Sequence, residues 1–108
     1  MKPLSERIRV AHSARHGRGL FARQRFREGA KIGDFVGRPT ERNGEHVLWL
    51  FDDEGNSEAI EVTNELRFLN HSSKPNAEIE GLELYAIRNI QPGSEVTIDY
   101  GTDWVDVE

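Results

Sequence analysis

The 108-residue sequence contains no cysteine. That excludes a disulfide framework, a zinc–thiolate site and a cysteine nucleophile. No apolar run approaches the roughly 18 residues of a membrane span, and the N-terminus has no signal-like apolar segment. A soluble, cytoplasmic protein is therefore the expectation. Repeats and low-complexity segments are absent too. Hydrophobic residues make up only 36% of the chain and aromatics 8%. This suffices for one modest core, so a single domain over residues 1–108 is expected.

Charge is plentiful, at 31% of residues, and it is unevenly placed. Residues 1–54 carry 11 Lys/Arg against 8 Asp/Glu, whereas residues 55–108 carry 3 against 11. The acidic second half disfavours nucleic acid as a direct ligand and suits a cationic partner, or it serves solubility alone.

The apolar segments are short and end at turn residues. Segments 7–11, 16–22, 31–37, 46–51 and 58–62 read as strands, and 76–88 reads as two strands around Glu80-Gly81. Gln91-Pro92-Gly93-Ser94 is a turn signal leading into a strand over 95–100. Alternation there places Val96, Ile98 and Tyr100 on one face and Glu95, Thr97 and Asp99 on the other. Only 63–70 reads as helical, for about two turns, with Thr63 or Asn64 as N-cap. The sum is a mainly β domain of about seven or eight short strands.

Three islands carry more polar chemistry than a core requires. His16-Gly17-Arg18-Gly19 is either a hairpin turn or a backbone that lets a ligand approach closely. It lacks the third glycine and following helix of a dinucleotide-binding loop. Asn70-His71-Ser72, inside "RFLNHSSKPNA", brings an amide with both donor and acceptor beside an imidazole. It suits a grip on an amino acid's charged ends or a purine edge, or else a polar helix C-terminus barred from continuing by Pro75. "EVTIDYG" puts the Tyr100 phenol at a strand end, either reaching into a cleft or half-buried at a sheet edge.

In their order and spacing, "HGRGLFA", "RFLNHSSKPNA" and "LYAIRNIQPGSEVTIDYG" resemble the SET domain of protein-lysine methyltransferases, from about Ser13 to Tyr100. The resemblance implies a fold of several small β-sheets, β-clip-like, with a knot-like crossing of the C-terminal segment and a preceding loop. It implies S-adenosylmethionine as cofactor, no metal, and methyl transfer to a lysine ε-amine of a protein. Carried over by position, Gly17, Arg18 and Gly19 form the cofactor loop, Asn70 and His71 hold the cofactor, and Tyr100 is the catalytic tyrosine. Phe35, Ile79 and Tyr85 are the expected substrate-channel positions. The implied partner is a lysine-containing, basic protein rather than nucleic acid or membrane.

The chain departs from the family in three places. Phe35 stands where many members carry a tyrosine, which leaves the degree of methylation open. No cysteine-rich segment follows Tyr100 to close the lysine channel; Trp104 could cap it, stack on adenine or pack on the core, or a second subunit in a homodimer could complete the wall. The insert 38–63 is short; within it Trp49 reads as core, and Asp52-Asp53-Glu54 as an exposed turn or a contact for a basic peptide. A catalytically idle SET-like module that binds peptide or cofactor is the alternative function. A methyltransferase acting on something other than protein lysine is a third.

Overall fold

The computed structural model describes residues 2–15, 17–41, 46–51 and 53–100, and the backbone of Trp104–Val105. After a single helical turn, α1 (Leu4–Arg7), come β1 (Ile8–His12), β2 (Arg18–Ala22), β3 (Lys31–Asp34), β4 (Gly37–Thr40), β5 (Val47–Phe51) and β6 (Ser57–Val62). A 3-10 turn (Glu65–Phe68) leads to β7 (Asn70–His71), β8 (Ala77–Glu80), β9 (Glu83–Ala86), β10 (Glu95–Ile98) and β11 (Trp104–Val105). These form three small sheets with strand orders β1-β2-β10-β7, β11-β5-β6-β4 and β3-β9-β8. The mainly β fold of small sheets is the one expected.

A shared core sits between the sheets. Ile8, Leu20, Phe26, Ile32, Leu48, Leu66, Leu69, Leu84, Ile90, Val96 and Ile98 are essentially sealed from solvent. An antiparallel bridge between Phe26 and Ile90 fastens two otherwise irregular segments across that core. Burying a side chain such as Phe26 contributes about 2–3 kcal/mol.

Strand β10 organises the functional region. It pairs antiparallel with β2 (Val96 opposite Leu20) and parallel with β7 (Thr97 opposite Asn70). The expected two-faced alternation is lost, because Thr97 is buried along with Val96 and Ile98. Segment 70–76 is fastened to this strand from both ends. The Ser72 N–H donates to the Ile98 carbonyl at 2.9 Å. At the other end the Asn76 carboxamide donates to the Glu95 carbonyl and accepts from the Thr97 N–H, both at 2.8 Å. This is where the expected crossing of loop and C-terminal strand falls.

Three expectations need correction. The helix over 63–70 is only a 3-10 turn followed by an extended pair. The Asn64 and Thr63 side chains do not cap it: the Asn64 amide donates to the Asp34 carbonyl at 2.8 Å and the Thr63 hydroxyl to the Val36 carbonyl at 3.2 Å. Segment 31–37 is not one strand. It breaks at Phe35, whose N–H turns to the Leu82 carbonyl at 2.7 Å, and the two halves join different sheets. Strand β5 is buried only at Val47 and Leu48, while Trp49 is half-buried and Phe51 is 61% exposed.

Candidate functional site

The β1–β2 connection is closed by the Ser13 N–H donating to the Gly17 carbonyl at 2.8 Å. Gly17 adopts φ +48°, and a Cβ there would meet nothing within 4 Å. The loop thus turns bare backbone toward open space, as a ligand cradle requires. Gly19 is constrained in the opposite way: a Cβ would run into Glu95 Oε2 and lie 3.0 Å from Asn70 Nδ2. Its glycine is needed for protein packing whatever binds above it. His16 and the side chain of Trp104 lie outside the described residues, so the Trp104 expectation rests on its backbone alone, which pairs with Leu48.

Asn70 is 5% exposed. Its Nδ2 donates to the Arg18 carbonyl at 3.0 Å and to Glu95 Oε2 at 2.9 Å, tying it directly to the glycine loop. The Arg18 side chain points away from this contact, its guanidinium 6.0 Å from the Phe68 ring. The next residue, His71, faces Tyr100: its Nδ1 accepts from the Tyr100 N–H at 3.0 Å, and the two rings lie 5.2 Å apart. Asp99 also approaches His71 Nδ1, at 3.7 Å.

The Tyr100 hydroxyl donates to the Leu69 carbonyl at 2.9 Å. The ring lines a cavity of about 580 Å³, counting its open mouth, with Pro75, Ala77, Glu78, Ile79, Ile87 and Asp99. Apolar side chains and two carboxylates thus share its lining, a set that matches an aliphatic chain ending in a cation. Ile79 also lines a second, apolar groove with Leu48, Trp49, Leu50, Phe51 and Gly81, so the two depressions share a wall.

Gly17, Gly19, Asn70, His71 and Tyr100 are therefore neighbours, and Ile79 faces the Tyr100 cavity. Phe35 and Tyr85 do not line that cavity. Phe35 is 5% exposed within the core. Tyr85 belongs to the outer face of the β3-β9-β8 sheet, opposite Glu78 and Lys31, because Leu84 and Ala86 take the inner face. Its hydroxyl donates to Glu83 Oε1 at 3.0 Å, and that hydrogen bond, ahead of desolvation, raises the phenol's pKa. The Lys31 ammonium bridges Asp34 and Glu83, each at 2.8 Å. Its hydrogen bonds to Asp34 and Glu83 push the ammonium pKa up, and the Lys31 hydrogen bond pulls Glu83 down.

Three site residues were not anticipated: Ser13, Asn76 and Glu95. The only sequence signal was a carboxylate opening a strand that is otherwise apolar or hydroxylic, and alternation placed it simply on the face opposite Val96 and Ile98. Among the described residues no group of His, Asp or Glu side chains could hold a metal ion. Among the described residues no helix is long and apolar enough to cross a membrane.

The residues and their order match known proteins. Human histone-lysine N-methyltransferase 2B is 30% identical over 120 residues, spanning 92% of this chain and 4% of that protein. Histone-lysine N-methyltransferase MEDEA of Arabidopsis thaliana is 27% identical over 116 residues, spanning 89% of this chain and 17% of that one. The chain is thus a small fraction of the length of the curated relatives it matches. Among solved structures, ctPRC2 in an autoinhibited conformation bound to S-adenosylmethionine superposes with a TM-score of 0.76 at 20% identity, over 90% of this chain and 15% of that one. The methyltransferase domain of human PR domain-containing protein 2 does so with a TM-score of 0.68 at 23% identity, over 85% and 75%. The family described as the SET domain matches residues 17–101. By that match over most of its length, the chain belongs to the SET domain family.

Proposed function

We propose that this protein transfers a methyl group from S-adenosylmethionine to a lysine ε-amine of a basic protein. The observation that carries the proposal is the convergence of the Gly17–Gly19 backbone, Asn70, His71 and Tyr100 on one region, beside a cavity whose lining suits a lysine side chain. The donor set fits the cofactor. Bare backbone at Gly17 and the Asn70 carboxamide suit its charged amino-acid end, and the imidazole of His71 offers a flat face to an aromatic base.

When bound, S-adenosylmethionine supplies a methyl group on a sulfonium, a good leaving group, so catalysis is mostly a matter of positioning. The carboxylates of Glu78 and Asp99 attract an arriving ammonium, and the walls of Pro75, Ala77, Ile79 and Ile87 cover its methylenes. The amine must shed a proton from an ordinary pKa of about 10.4. The positive charge of the sulfonium favours that loss, against the pull of the two carboxylates. Tyr100 spends its hydroxyl proton on the Leu69 carbonyl, so its oxygen is presented as an acceptor to the amine N–H. That contact aims the nitrogen lone pair.

The substrate side is assigned from charge and shape. The outer face of the β3-β9-β8 sheet presents Glu78, Glu80 and Glu83, complementary to a basic protein. The groove at Trp49 and Phe51, which shares Ile79 with the Tyr100 cavity, takes residues beside the target lysine. A cytoplasmic location is part of the proposal, to be tested by cell fractionation.

The test is a methyl-transfer assay with labelled S-adenosylmethionine on a whole-cell lysate, followed by mass-spectrometric mapping. Label on lysines of basic proteins is expected. Tight cofactor binding with no labelled protein would instead identify an idle binding module.

A further inference from the structure

We propose that Glu95 is the positioning residue of the cofactor clamp and acts through Asn70. The proposal rests on S-adenosylmethionine being the ligand of that clamp.

The Glu95 carboxylate is only 12% exposed and collects donors from two remote parts of the chain. The Ser13 hydroxyl donates to it, 2.9 Å from each oxygen. Asn70 Nδ2 donates to Oε2 at 2.9 Å, and Arg15 Nε stands 3.5 Å from Oε1. Ser13 Oγ in turn accepts the Arg15 backbone N–H at 3.0 Å. One carboxylate therefore joins the segment before the glycine loop (Ser13, Arg15) to Asn70, whose other donor goes to the carbonyl of Arg18 within the loop.

This arrangement sets the polarity of the Asn70 amide. Both contacts of Nδ2 are to acceptors, Glu95 Oε2 and the Arg18 carbonyl. An amide rotated by half a turn would set oxygen against oxygen at both. Glu95 thereby decides which end of a nearly buried carboxamide meets the carboxylate and which end is turned from it. Hydrogen bonds to a charged acceptor are stronger than neutral ones, so the preference is firm. The same carboxylate oxygen occupies the space that a Gly19 side chain would need. The second glycine, Glu95 and Asn70 thus form one packing unit. Asn70 and Ser13 are nearly buried, so without Glu95 each would keep a donor that water cannot readily reach.

Calorimetric titration with S-adenosylmethionine tests the proposal, with circular dichroism and thermal melts as folding controls. Glu95→Ala is expected to weaken cofactor affinity by about tenfold or more, the size of one buried donor left unpaired. Glu95→Gln keeps a carbonyl for Asn70 and should recover affinity to within about threefold. In an Asn70→Ala background, Glu95→Ala should cost less than about twofold more, because the partner it acts through is gone. Equal losses in the two backgrounds, or an unchanged Kd in Glu95→Ala, would overturn the proposal. If Glu95→Ala does not fold, Glu95→Asp, which draws the carboxylate back by one methylene, replaces it in the same cycle with the same expectations. A parent chain that binds no S-adenosylmethionine overturns the cofactor assignment itself, and this inference with it.

Discussion

The β1-β2-β10-β7 sheet and the β11-β5-β6-β4 sheet have four strands each, yet they are held together differently. The first is cross-linked by side chains of residues far apart in sequence: Ser13, Asn70 and Asn76 all bond to Glu95, two through its carboxylate and one through its carbonyl. The second shows a different kind of link among the described residues. There the Arg38 guanidinium meets Glu61 at 2.8 Å with both side chains exposed, and β5 presents Phe51 to solvent. A region that must hold a small ligand in one geometry benefits from interlocking polar bonds. A region that meets a variable protein surface benefits from exposed, adaptable apolar area.

That contrast leads to distinct outcomes on substitution. Tyr100→Phe should lower the methyl-transfer rate on the order of 10²-fold or more, the usual cost of one positioned transition-state group, while cofactor affinity stays close to that of the parent. A single-turnover assay reads the first and calorimetry the second; parent-like turnover would remove Tyr100 from its role.

Asn76→Ala should destabilise the fold by about 2–3 kcal/mol, because the Glu95 carbonyl and Thr97 N–H lose their partners beside a buried strand. Arg38→Ala in the other sheet should stay within about 0.5 kcal/mol. Urea denaturation of the two variants side by side checks the difference, and equal losses would contradict the contrast.

Phe51→Ala should leave the melting temperature and cofactor affinity unchanged and raise KM for a protein substrate by several-fold, on the order of the loss of one apolar contact. A rise in cofactor Kd instead would mean that the two sheets do not divide the work in this way.

The smallest effect concerns pH. Glu83 has its pKa lowered by Lys31, so its stabilising contribution is present above the unfolded value of 4.5 and is lost as pH falls through the lower, folded value. The raised pKa of Lys31 keeps its side of the pair intact through that acid range. Melting temperature should therefore fall slightly more steeply below about pH 4.5 in the parent than in Glu83→Gln. The difference should shrink in high salt, because both groups face solvent. Melts across that pH range at two ionic strengths measure it.

Much of the fold was legible from local signals. The hairpin around Gly81, the Pro92-Gly93 turn and the strand at 95–98 follow from turn chemistry and apolar spacing, which act over a few residues. Segment 63–70 was read as helical because Glu65 to Phe68 suits a helix, but Asn70-His71 is extended. Its actual conformation depends on parallel pairing with Thr97 and Ile98, which no local pattern encodes. Tyr85 was placed in the channel by resemblance; the pleat, with Leu84 and Ala86 inward, sends it to the other face. Glu95 was placed only on the polar face of its strand, with Thr97 and Asp99, because alternation counts faces and cannot see that two donors from distant segments converge on it.

By itself the sequence determined the composition of the site: glycines for a bare loop, an amide and imidazole in adjacent positions, and a phenol at a strand end. Side-chain chemistry is carried by residue type, and it survives any folding. Only the tertiary structure decided that these groups meet, that Phe35 belongs to the core, and that a carboxylate fixes the direction of the amide. The fixing of the amide depends on contacts between residues 13, 18, 70, 76 and 95, whose adjacency arises when β10 is laid between β2 and β7.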